Sequence, residues 1–155
     1  MKKYLKWAAI AVGVIFLGMQ VVQPDRTNPP VDESQTIQAL LKVPPHISTI
    51  IERSCYDCHS NKTVWPWYSY IAPTSWLVAR DVHKGRGEMN FTEWNKYKTL
   101  RVISKLDQIC MNVNQQTMPL PIYLTMHPSA RLTQAEIDTV CAWVESESER
   151  LSSQE

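Results

Sequence analysis

Glycine is scarce in this chain: four residues in 155, of which only Gly85 and Gly87 lie beyond residue 23. Tight hairpins draw heavily on glycine for positive φ, and no segment alternates apolar and polar residues as a half-buried strand does. A hairpin-built sheet is therefore excluded. Ten prolines, all after residue 23, point instead to helices joined by stiff loops. An excess of charge of one sign is missing too. The net charge is +1, but Lys2, Lys3 and Lys6 crowd one end, and residues 24–155 carry 13 basic and 15 acidic side chains, or −2. A body this close to neutral offers no electrostatic footprint for nucleic acid. Internal repeats are absent as well.

Only one long apolar run is present. It extends from Trp7 to Val22, broken by Gln20, behind the three lysines. Its 16 residues would make a helix of about 24 Å, a little short of a ~30 Å hydrocarbon core. The lysines would hold that end inside, with Tyr4 and Trp7 at headgroup level. The run closes on Gly18-Met19-Gln20-Val21-Val22-Gln23-Pro24, which lacks the small-residue pattern of a cleaved signal, and no lipidation cysteine follows. Residues 1–23 are therefore expected to be an uncleaved N-terminal membrane helix that delivers the body outside the cytoplasm.

Residues 24–45, rich in Pro, Asn, Asp, Gln and Ser, read as a linker with at most a helical turn near Ile37–Leu41. Residues 46–148 form the expected domain, and 149–155 a polar tail. Ile47, Ile50 and Ile51 recur at helical spacing after Pro44-Pro45, and Cys55 continues their face. A second helix is expected from Pro73 to His83, stopped by Gly85 and Gly87. A third, capped by Thr92, would carry the stripe Val102, Leu106, Ile109, Cys110 and Val113. Residues 114–131 contain three helix breakers, Pro119, Pro121 and Pro128, and form an ordered loop whose Leu120, Ile122, Tyr123, Leu124 and Met126 need burial. Thr133-x-x-Glu136 is a capping box that opens a last helix with Ile137, Val140, Cys141 and Val144 on one face.

Chemistry concentrates in Cys55-Tyr56-Asp57-Cys58-His59. C-x-x-C-H is the spacing of covalent haem attachment. Two thiols three positions apart reach the two vinyl groups on one porphyrin edge, and the next residue sets an imidazole under the iron. His59 is thus the expected proximal ligand, its other nitrogen held by a backbone carbonyl near Pro66 or Pro73. A thioredoxin-like pair needs a βαβ context that is missing here. A zinc site would have to recruit Cys110 and Cys141, which are not at finger spacing. In an oxidising compartment those two cysteines could instead pair as a disulfide or remain buried thiols; the sequence leaves both open.

For the sixth iron position Met118 is favoured, because Pro119 stiffens the loop that would present its thioether. His127, also before a proline, is the alternative. His83, His46, Met89 and Met126 are read as surface or core residues. Trp65, Trp67, Tyr68 and Tyr70 are read as a haem wall, as donors to its propionates, or as ordinary core. Arg80, Lys84 and Arg86 are read as solvated rather than propionate-bound.

The order of a helix into C-x-x-C-H, a middle helical region, a Met-Pro loop and a capped last helix with Trp143 resembles the class I cytochrome c fold. More narrowly, Cys58-His59-Ser60-Asn61, Trp65-Pro66-Trp67-Tyr68, Ile71-Ala72-Pro73 and His127-Pro128 resemble the bacterial haem-binding domain family, over about residues 44–146. The resemblance implies an all-α domain around one covalent haem c, with Ile47–Ser54 packed on Ile137–Val144. It departs from class I in replacing the glycine-rich segment after the haem motif with the aromatic loop. The expected function is a membrane-tethered monohaem electron carrier, not an enzyme, anchored in the inner membrane with its haem domain facing the periplasm and serving redox partner proteins there. Alternatives are a haem-based sensor or peroxidase-like protein with an open or labile sixth site, and a haem-bearing subunit whose electron route a partner fixes.

Overall fold

The computed structural model describes residues 1–154, and among them every regular element is helical. α1 spans Lys2–Met19, α2 Ile37–Leu40, α3 Pro45–Ser54, α4 Tyr56–His59, α5 Thr74–Glu88, α6 Thr99–Asn114, α7 Pro121–Met126 and α8 Gln134–Ser152. The all-α expectation holds.

The expected spanning helix does not. No helix among the described residues is long and apolar enough to cross a membrane. α1 ends at Met19 and carries Lys2, Lys3 and Lys6 in its first turns. Its uncharged length is therefore only Trp7–Met19, 13 residues, or about 20 Å.

α3 begins with Pro45 at its first position, where a missing N–H costs nothing. Its Ile47, Ile50 and Ile51 enter a core shared with Val102, Leu106 and Ile109 of α6 and Val140, Trp143 and Val144 of α8. The implied packing of the first domain helix on the last is present, and Arg53 bridges to Glu136 at 2.8 Å. α8 starts at the Thr133–Glu136 capping box. Cys110 of α6 and Cys141 of α8 form a disulfide, which removes both from any zinc set.

Four expectations about element ends and burial are corrected. α5 runs through Gly85 and Gly87 to Glu88, because a buried Gly85 packs directly on the motif and packing outweighs its helix penalty. Thr92 caps no helix: its hydroxyl accepts from Asn61 N–H and donates to Asn90, and α6 starts only at Thr99. The polar tail stays helical to Ser152, tied by a buried Glu147 that accepts from Arg150 and from Lys42 N–H. The loop 114–131 contains α7, and Ile122 and Met126 are exposed rather than buried.

Residues 24–45 are not a free linker. Ile37 and Leu41 are buried in the core, and Ile37 N–H donates to Phe91 O at 2.8 Å. Gln20 hydrogen-bonds both Ala72 N–H and Ala72 O, Trp76 donates to Val22 O, and Arg26 donates to Ser69 O while stacking on Tyr70. The segment is a strap across the aromatic loop. Polar composition hid this because two apolar residues at i, i+4 are enough to seat it.

Candidate functional site

The site begins at a break. Cys55 (φ −125°, ψ −31°) ends α3 and caps α4, and α4 is a single turn in which His59 N–H returns to Cys55 O at 3.0 Å. Cys55 and Cys58, three apart across that turn, share one face. Both thiols and His59 line a cavity of about 570 Å³. Burial pushes the Cys55 thiol up to about 12, with Cys58 adding to it. Burial likewise pushes Cys58 up to about 11, with Asp57 adding to it. Both stay protonated at neutral pH, unlike the low-pKa cysteine of an exchange pair.

His59 Nδ1 lies 3.0 Å from Met89 O. A carbonyl only accepts, so Nδ1 carries the hydrogen and Nε2 keeps the free lone pair. Burial lowers the His59 pKa from its ordinary value, favouring the neutral, ligating form. The orienting carbonyl is therefore not near Pro66 or Pro73. It comes from the end of α5, where helix carbonyls lack partners. Gly85 brings that end in: a Cβ there would collide with the Cys58 carbonyl.

Leu77 of α5, Ile109 and Val113 of α6, and Pro119 and Leu120 supply apolar walls. Met118 lines the same cavity. Its loop is set by the end of α6, where Gln116 adopts φ 55° and the N–H groups of Gln116 and Thr117 return to Val113 O and Asn112 O. This is a Schellman closure, and the Thr117 hydroxyl donates to Asn112 Oδ1 at 2.9 Å. His127 does not line the cavity. Its Nε2 pairs with Tyr68 Oη at 2.7 Å, and its ring stacks on Tyr123 at 4.3 Å. The structure thus brings Cys55, Cys58, His59 and Met118 together, buries Met89 on the same cavity rather than at the surface, and leaves His127 outside.

His46 and His83 are exposed and also outside. Arg80 and Lys84, both exposed, stand at the cavity's mouth, whereas Arg86 is committed to Ser60 O, Asn28 and Thr63. The aromatic loop does not wall this cavity. Trp67 and Tyr68 line a neighbouring one of about 310 Å³, Trp65 donates to Asn28, and Tyr70 takes Arg26. The aromatic packing behind the motif comes from Tyr56, Phe91 and Trp94, stacked in succession. Tyr123 donates to Asp57 at 2.7 Å across the mouth of the motif.

An all-helical body with two thiols, an oriented imidazole, a thioether and cations around one apolar cavity defines a protein that fits haem. A family model described as the haem-binding domain matches residues 14–146, and the chain belongs to that family. The match begins inside α1 and takes in the strap. No curated protein and no solved structure matches the chain.

Proposed function

We propose that the chain is a monohaem c-type cytochrome domain that carries electrons between redox partner proteins outside the cytoplasm, without being an enzyme. The observation that carries this reading is the set Cys55, Cys58, His59 and Met118 around one cavity, with His59 Nδ1 already bonded to Met89 O. Cys55 and Cys58 would hold the porphyrin edge as thioethers. His59 Nε2 and the Met118 thioether would hold the iron. Arg80 and Lys84 would face the propionates. When bound, the haem would supply a one-electron iron couple, whose potential histidine and methionine ligation raises. Leu77, Ile109, Val113 and Leu120 would give the bound group an apolar lining.

The Cys110–Cys141 disulfide supports an oxidising compartment. The exposed apolar residues of α1 support contact with an apolar surface, without a span across it. The test of the distal side is spectroscopic. The oxidised protein should show a sulfur-to-iron charge-transfer band in the far red that Met118→Ala abolishes and His127→Ala leaves in place. A band lost in His127→Ala and kept in Met118→Ala would reverse the assignment. An oxidised protein with no such band would favour an open or labile sixth site.

A further inference from the structure

Lys105 is used by nothing described above. It lies on α6 with 2% of its surface exposed, and no ion pair joins it to a carboxylate among the described residues. Its ammonium donates to Glu88 O and sits 4.7 Å from the centre of the Tyr97 ring. A buried cation with no carboxylate in contact, and only that of exposed Glu88 acting on it from farther off, opposes folding, so its position has another cause.

The neighbours supply one. Glu88 O and Met89 O are consecutive carbonyls at the end of α5, and the second accepts from His59 Nδ1 at 3.0 Å. On the other side of Met89, Asn90 N–H donates to Tyr97 Oη at 3.1 Å, and Phe91 N–H donates to His59 O at 2.8 Å. Lys105 and its partner Tyr97 therefore hold both flanks of the residue that orients His59.

We propose that Lys105 is a positioning residue for the proximal ligand, fixing the Met89 carbonyl against His59 while its buried positive charge raises the reduction potential of an iron bound at His59 Nε2. This rests on the haem reading above. Reduction adds one electron near a fixed cation, and the attraction is strong where the surroundings are poorly polarisable. Hydrogen bonding to the ligating histidine and the burial of the site are recognised levers on haem potential.

The test uses the full chain carrying its haem, with Lys105→Met, Lys105→Gln and Lys105→Arg, read by intact mass and equilibrium redox titration. Arg should keep the reduction equilibrium within twofold of the parent. Gln and Met should retain covalent haem but shift the equilibrium about tenfold toward the oxidised form, or about 59 mV for one electron. Neutral variants within twofold of the parent, or Arg and Gln shifting alike, overturn the proposal. If Met does not accumulate, the Arg–Gln comparison decides alone. A parent chain without covalent haem overturns the haem reading itself and this inference with it, and that failure shows in the mass rather than in the potential.

Discussion

Gly85 holds its place for want of space. Its Cα faces the Cys58 carbonyl so closely that a methyl there must push α5 off the motif, and α5 carries the Met89 carbonyl that orients His59. Gly85→Ala is therefore expected to destabilise the domain by about 1–3 kcal/mol, the usual range for overpacking, although alanine is the better helix former. Urea unfolding of the two proteins checks this, and an unchanged midpoint would contradict the close approach. Glu147 makes the opposite case, a buried carboxylate stabilised by partners. Burial alone would raise its pKa, but Arg150 and Lys42 N–H outweigh this and hold it below the ordinary glutamate value. Glu136 is lowered chiefly by the Thr133 N–H bond. For both groups the folded pKa lies below the unfolded one, so their contribution is present above pH about 4.5 and fades as pH falls through the folded values. Glu147→Gln should flatten the acid side of the stability profile measured by unfolding at stepped pH. A slope equal to the parent's would count against the assignment.

Among the elements, α6 joins the core to the cavity. It packs on α8, walls the cavity with Ile109 and Val113, ends in the turn that presents Met118, and is bound to α8 by Cys110–Cys141. Closing a loop with sequence separation 31 restricts the unfolded chain enough to contribute about 3–4 kcal/mol. Cys110→Ser/Cys141→Ser is expected to lose most of that in denaturant unfolding. Because the disulfide joins α6 to α8 and lies outside the motif, covalent haem content should stay as in the parent. The long helices were legible because α3, α6 and α8 each announce themselves by apolar spacing, by Pro45, or by the Thr133–Glu136 box. Their limits were not. Thr92 has the chemistry of a cap but is consumed by Asn61 and Asn90, and the glycines of α5 look like stops until Gly85 is seen against Cys58. Those outcomes depend on partners distant along the chain, which no local pattern contains.

At the scale of the whole molecule, two segments that composition sets apart belong to the body. The strap reaches the centre through Ile37 N–H to Phe91 O, and Phe91 N–H to His59 O, so residues before position 45 lie two hydrogen bonds from His59. The cluster of Cys55, Cys58, His59 and Met118 was legible because thiol spacing and a Met-Pro step are local signals. The Met89 carbonyl and Lys105 were not, since a backbone acceptor has no side-chain signature and one lysine in a helix reads as surface. Covalent attachment of one haem through Cys55 and Cys58 is read by intact mass after acid–acetone extraction. The parent chain should keep apoprotein mass plus one haem, and Cys55→Ala/Cys58→Ala should show apoprotein mass alone. A parent chain that releases all its haem into the acetone, leaving apoprotein mass, would contradict it.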